Sequence, residues 1–168
     1  IIPVRIAGLE AGRAGEGHPF LSPGPVEFAD ASYENYCRAL RNRCVLADRE
    51  ERRAAVLEQV RAIAGADPSP ELIQEVADLV EWPCAVEGAF DEQFLAVPDA
   101  VLCAAMVEHQ RYFPVRDADG RLTNRFVIVS NRTPSQRATV REGNQRVLRA
   151  RLADARFFWD EDRRTPLE

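Results

Sequence analysis

Lysine is missing from this sequence: all 22 basic residues are arginine. A GC-rich genome produces that choice, so arginine abundance by itself carries no functional argument. Long apolar runs are missing too. None approaches the roughly 20 residues a membrane-spanning helix needs, and no signal-peptide pattern opens the chain. The four cysteines, Cys37, Cys44, Cys84 and Cys103, have no C-x-x-C spacing, which argues against a zinc site and for reduced thiols in a cytosolic chain. Histidine occurs only at positions 18 and 109. No H-E-x-x-H motif, Ser-His-Asp order, Walker motif or carboxylate pair stands out. The glycine-rich stretch after residue 8 lacks the Lys-Ser/Thr ending of a phosphate-binding loop.

What the sequence does hold is length, apolar content and an uneven charge distribution. With 168 residues, 46% of them hydrophobic, the chain can bury the core of one domain, with room for an appendage. It opens on I-I-P-V-R-I, strand-like and without an initiating Met, and reads as an internal module of something longer. Between residues 132 and 156 seven arginines stand against Glu142 and Asp154, a local balance of +5 in a chain totalling −5. The remainder is at −10, an acidic body with one basic strip that can orient a polyanion. A solvated helix with unpaired arginines accounts for the same residues.

Periodicity and punctuation give the order of elements. Residues 2–7 predict a short strand, and residues 8–25, with five glycines, a loop in which His18 packs beside Phe20. Asp30 or Ser32 caps a helix ending near Arg43, with Tyr33, Tyr36, Cys37 and Leu40 on one face. Residues 44–47 predict a strand. Asp48 opens a second helix, whose charged first turn over 49–53 faces solvent and which stops at Gly65. Asp67-Pro68-Ser69-Pro70 is the clearest break. Ser69 and Pro70 then start a helix burying Leu72, Ile73, Val76, Leu79 and Val80. A strand over 84–90, a helical turn over 91–95 and a helix over 98–108 follow. Two strands, 111–116 and 125–130, flank Asp117-Ala118-Asp119-Gly120, where Gly supplies the positive φ of a hairpin. Pro114 puts the first of them at an edge. A helix over 133–162 comes last, capped by Thr133, with Val140, Val147, Leu148, Leu152, Ala155, Phe158 and Trp159 on one stripe at about 3.6 residues per turn.

Helices alternating with short, often paired strands predict an α+β fold: a mainly antiparallel or mixed sheet with packed helices, ending in a long C-terminal helix. Residues 1–66 (strand, Gly-rich loop, two helices) and 67–168 (helix, strand, hairpin, long basic helix) are expected to form one compact domain of a larger chain.

Several stretches carry a specific resemblance. L-V-E-W-P at 79–83, E-H-Q-R-Y-F-P-V at 108–115, V-S-N at 129–131 and R-E-G-N-Q-R-V-L-R-A-R-L-A-D-A-R-F-F at 141–158 together resemble the β subunit of the bacterial heterotetrameric glycyl-tRNA synthetase. G-H-P-F at 17–20 fits the same pattern, with Pro19 where the family usually has arginine. The likeness extends from about Ile2 to Arg164. It implies a module similar to the B3/B4 domain of phenylalanyl-tRNA synthetase β chains, in a cytoplasmic ligase whose α subunit uses ATP and magnesium. The implied partners are that α subunit, glycine-specific tRNA and the rest of the β chain, with no membrane. No catalytic residue, metal or cofactor is expected in this fragment itself. B3/B4 relatives also imply an alternative, an editing hydrolase for mischarged tRNA. Setting the family aside leaves a third, a generic RNA-binding or protein-docking module.

Arg137, Arg146, Arg149 and Arg156 lie off the apolar stripe and are the candidates for RNA phosphate contact. Arg141, Asn144 and Arg151 interrupt the apolar side, with Asp154 one turn from Arg151. These are expected as buried polar residues needing partners, Arg151 taking Asp154 or the hairpin backbone. His109 is expected to hydrogen-bond at the helix–strand junction, since Glu108 beside it points about 100° away on a helix. Glu142 with Arg146 and Arg156 with Asp160 are i, i+4 pairs suited to the wet side. A polar pocket gathering Arg141, Asn144 and Arg151 would favour editing. An exposed basic strip would favour RNA contact or docking.

Overall fold

Two short hairpins occupy the first part of the chain in the computed structural model, which describes residues 4–65 and 68–164. β1 (Arg5–Ile6) pairs with β2 (Leu9–Glu10), and β3 (Ala14–Glu16) with β4 (Pro25–Glu27). Ala7 and Gly8 both take positive φ, as a two-residue hairpin turn requires. The loop expected over 8–25 is therefore partly paired: Gly8 and Gly24 take positive φ, while Gly15 lies within β3. Residues 1–3, 66, 67 and 165–168 lie outside the described part, so the expected strand is seen only from residue 4 and the break only from Pro68.

Three helices follow, each begun by a short polar cap. Ser32, Asp48 and Ser69 accept the backbone N–H three residues on, starting α1 (Tyr33–Arg41), α2 (Arg49–Ala64) and α3 (Pro70–Leu79), which removes one orphan donor from each first turn. Gly65, left-handed at φ 71°, ends α2. Residues 44–47 are not a strand, because Leu46 N–H finds the Glu81 carbonyl as an isolated bond. Nor is the first turn of α2 wholly solvent-facing. Arg52 reaches inward to the carbonyls of Ala77, Leu46 and Ala47, tying α2 to α3 and the connector. Of the expected apolar residues, only Leu40 is buried on α1, and Leu79 of α3 is 65% exposed while Ala77 is buried instead.

The remaining elements build the central sheet. β5 (Cys84–Ala89) leads through a 3-10 turn (Glu92–Ala96) to α4 (Asp99–Cys103), which continues as a π-turn (Ala104–Glu108). Arg111, left-handed at φ 57°, closes that helix, with its own N–H on Val107 and Tyr112 N–H on Met106. Both bonds span one residue more than those of a Schellman closure, in keeping with the π-turn, and the left-handed position is one normally given to glycine. Here the Arg111 side chain compensates by bonding Glu75 and the Glu108 carbonyl. β6 (Phe113–Arg116) and β7 (Leu122–Ser130) form the expected hairpin, and β7 lies between β5 and β6, all antiparallel. Pro114 sits on edge strand β6, beside a register shift between Pro114 and Arg116.

Alternation along β7 sends side chains to two cores. Phe126 and Ile128 join Phe90, Tyr112, Met106, Leu148 and Leu152 on one face. Val127, with Ala85, Phe113 and Val115, meets Val56, Val60, Ile73 and Val76 of α2 and α3 on the other. The last helix, α5 (Arg137–Arg164), begins after a 3-10 turn (Pro134–Gln136) and covers the first face. Gly88 opposes Phe126, where a β-carbon would stand 2.7 Å from the ring, so the aromatic lies flat over the strand. The α+β architecture with a long C-terminal helix is as the sequence predicts.

Candidate nucleic-acid interface

The seam of α5 is narrower than the apolar stripe suggests. Leu148 and Leu152 are fully buried. Each residue turns the helix by about 100°, so Val147, Arg151 and Phe158 fall roughly 60–100° to one side of Leu148. Val147 and Phe158 are exposed, and so are Arg151 and Asp154. The expected burial of Arg151 and its pairing with Asp154 do not occur, because the seam leans toward β5. Asn144 does bridge inward: Tyr112 Oη donates to its Oδ1 at 2.5 Å and its Nδ2 donates to the Val140 carbonyl at 2.7 Å. Burial pushes the Tyr112 hydroxyl above its ordinary pKa. His109 is exposed, with no side-chain hydrogen bond among the described residues, since Arg111 makes the junction contacts expected of it.

On the β5 side, Arg137, Arg141, Gln145 and Arg149 follow at i, i+4 and face the outer edge of the strand. Three depressions run along this line. The first, of about 320 Å³, lies between Gln59 of α2, Ala85 to Glu87 of β5, and Arg137 and Arg141. The second, of about 240 Å³, joins Glu87 and Ala89 to Arg141 and Gln145. The third, of about 530 Å³, holds Phe90, Asp91, Gln145, Arg146 and Arg149. Neighbouring depressions share residues, so they make one groove.

The strand edge explains which arginines are held. An outer strand leaves alternate N–H and C=O groups without a ladder partner. Gln59 takes two of them, accepting from Ala85 N–H at 3.0 Å and donating to the Pro83 carbonyl at 3.1 Å. Arg141 Nε donates to the Glu87 carbonyl at 2.8 Å, so this exposed arginine braces the edge and is not a buried polar residue. Arg149 stands 3.9 Å from Asp91, and Arg156 reaches Gln93 at 3.2 Å and Asp160 at 3.8 Å. Glu87 is taken by Arg125. Arg137 and Arg146 have no ion pair among the described residues; the expected Glu142–Arg146 pair is not among the salt bridges there.

A second convergence joins segments far apart in sequence. His18 is fully buried, and its Nδ1 accepts from Phe20 N–H at 3.2 Å and Leu21 N–H at 3.1 Å. A nitrogen accepting two donors carries no proton, so the ring proton sits on Nε2. That nitrogen has no hydrogen-bond partner among the described residues and lies 3.8 Å from Glu81. Asn131 Oδ1 accepts from the N–H groups of Glu81 and Trp82 at 3.2 and 2.9 Å, and Arg132 lies 4.5 Å over the Phe20 ring. The G-H-P-F, L-V-E-W-P and V-S-N stretches thus meet at one junction. Arg141, Asn144 and Arg151 do not gather in a polar pocket: one lies in the groove, one is tied to Tyr112 and one is exposed. Among the described residues no three His, Cys, Asp or Glu side chains converge as metal ligands would, and no helix is long and apolar enough to cross a membrane.

Sequence reasoning missed Gln59, Gln145 and the strand edge. The i, i+4 spacing from Arg137 to Arg149 was the available signal for the groove wall. The edge itself depends on strand order, which no local pattern prints.

The relatives of this chain are chains of aminoacyl-tRNA synthetases. It is 44% identical over 172 residues to the glycine–tRNA ligase beta subunit of Moorella thermoacetica, covering 99% of this chain and 24% of that protein. The Rhodospirillum centenum beta subunit is 48% identical over 166 residues, 95% of this chain and 23% of that one. For Dictyoglomus thermophilum the identity is 41% over 172 residues, 99% and 25%. The chain belongs to the glycyl-tRNA synthetase beta subunit family, whose model matches residues 1–168. It spans about a quarter of the length of these relatives.

Proposed function

We propose that the chain is a tRNA-positioning module of the β subunit of a glycine–tRNA ligase, and that it presents the groove between α5 and β5 to the RNA backbone. The observation that carries this reading is the row of arginines beside the strand edge in a chain otherwise strongly acidic. Arg146 and Arg137 supply charge that has no ion pair among the described residues, Arg149 exchanges Asp91 for phosphate, and Arg141 braces the edge they flank. Arg156 extends the row by about two turns. In this reading the module is not catalytic: a cytoplasmic α subunit partner carries the ATP- and magnesium-dependent chemistry, and the rest of the β chain shares the tRNA. Editing is disfavoured by the dispersal of Arg141, Asn144 and Arg151.

The test is binding of glycine-specific tRNA by the complete β subunit with Arg146→Glu and Arg149→Glu together. Weaker binding with an unchanged melting temperature is expected. Wild-type affinity would sink the reading, and loss of α-subunit association alone would make the groove a docking surface.

A further inference from the structure

We propose that Phe20 and Arg132 form a stacking platform for one unpaired base of single-stranded RNA, beyond the Arg137 end of the groove. The proposal rests on the RNA-binding reading and adds a site to it. Phe20 is 67% exposed, with the Arg132 guanidinium over one ring face. A single exposed aromatic is ordinary. This one is held on a turn with almost no freedom. Gly17 N–H bonds the Gly24 carbonyl, His18 N–H the Arg43 carbonyl, and Ser22 N–H the His18 carbonyl, at 2.9–3.0 Å. His18 Nδ1 fixes the next two N–H groups. A β-carbon at Gly17 would collide with the Ser22 carbonyl, and Pro19 locks its own φ.

The turn also carries a cost. His18 is fully buried, and neither its Nε2 nor Arg43 Nε has a hydrogen-bond partner among the described residues; unpaired buried donors are unfavourable. A segment that merely linked β3 to β4 would not need this arrangement. Its product is a flat ring carried on a hydrogen-bonded backbone turn, with a cation over one face. Base stacking on such a ring is worth about 1–3 kcal/mol and needs no particular base. Arg132 has no ion pair among the described residues, so its charge remains available to a phosphate. Arg137 lies five positions after Arg132, a span of at most about 18 Å. The platform and the groove can therefore follow one strand. That continuity, with the cation behind the ring, favours a polyanion over a protein partner. Duplex RNA keeps its bases stacked and offers no free face.

The experiment measures binding of the complete β subunit to a labelled single-stranded RNA of about 12 nucleotides and to the duplex of the same sequence. Phe20→Ala is expected to weaken single-strand binding about 5- to 150-fold, leaving duplex binding, salt dependence and melting temperature unchanged. Phe20→Trp should retain the affinity and Phe20→Leu should not. Wild-type affinity in Phe20→Ala, rescue by leucine, equal losses on both RNAs, or loss of association with another protein chain at unchanged RNA affinity would each overturn the proposal. The Arg146→Glu, Arg149→Glu variant runs in parallel. If it weakens binding while Phe20→Ala is silent, only the platform fails; if neither matters, the RNA reading fails with it.

Discussion

The two flanks of α5 carry similar residues and end as different surfaces. Toward β5, arginines meet acceptors: the Glu87 carbonyl, Asp91 and Gln93. Away from it, Arg151 and Asp154 project into solvent beside exposed Val147, Phe157 and Phe158. Helix sequence alone does not separate them, since both flanks are arginine-bearing and both adjoin the leucine seam. The neighbour decides. An outer strand offers unpaired carbonyls along one line, and arginine, with five donors in a fixed fork, brackets such a line. A basic helix becomes an ordered groove only where something beside it fixes its charges.

The comparison breaks most severely if the seam between the flanks is removed. Leu148→Ala should cost about 2–5 kcal/mol, because a fully buried side chain leaves a cavity, and chemical denaturation measures it. Asn144→Ala should cost about 1–3 kcal/mol by orphaning the Tyr112 hydroxyl; Tyr112→Phe in the same background should recover part of that. The flanks themselves differ more subtly. Arg141→Ala should lose up to about 1 kcal/mol with its bond to the strand edge, whereas Arg151→Ala should stay within about 0.5 kcal/mol of wild type. Equal melting temperatures for those two would remove the distinction between bracing and solvated arginines.

The smallest effect is a control on a pair far from α5. The hydrogen bonds from Arg49 hold the Asp78 carboxyl at about 2, below its usual 3.8. A lowered folded value means the contribution is complete above the unfolded pKa and fades as pH falls through about 4 toward 2. Asp78→Asn should flatten that part of the acid-unfolding curve and leave neutral-pH RNA binding alone. An unchanged acid limb would show that the pair contributes nothing.

Short-range signals made much of this fold legible. The caps at Ser32, Asp48 and Ser69, the stop at Gly65 and the Asp117 to Gly120 turn are each decided within a few residues. Pro114 announced an edge strand for the same reason. Features settled by distant partners were not legible. Residues 44–47 resemble a strand, but their N–H groups go to Arg41, Leu40 and Glu81 and two of their carbonyls go to Arg52, and Arg52 looked solvated until α3 supplied a carbonyl. The α5 stripe was drawn too wide because periodicity gives a direction and not the width of the neighbour. Exposure of Arg137, Arg146 and Arg149 could be read from the sequence. Their alignment on the β5 edge required strand order.

The salt dependence of tRNA binding by the complete β subunit tests the central claim most directly, with wild type set against the Arg146→Glu, Arg149→Glu and Arg151→Glu variants. Each phosphate contact contributes about 0.7–0.9 to the log–log slope. The account predicts that reversing Arg146 or Arg149 lowers the slope by about one contact each, while reversing Arg151, on the other flank, leaves it unchanged. Equal slopes for all four proteins, or a loss confined to Arg151→Glu, would contradict it.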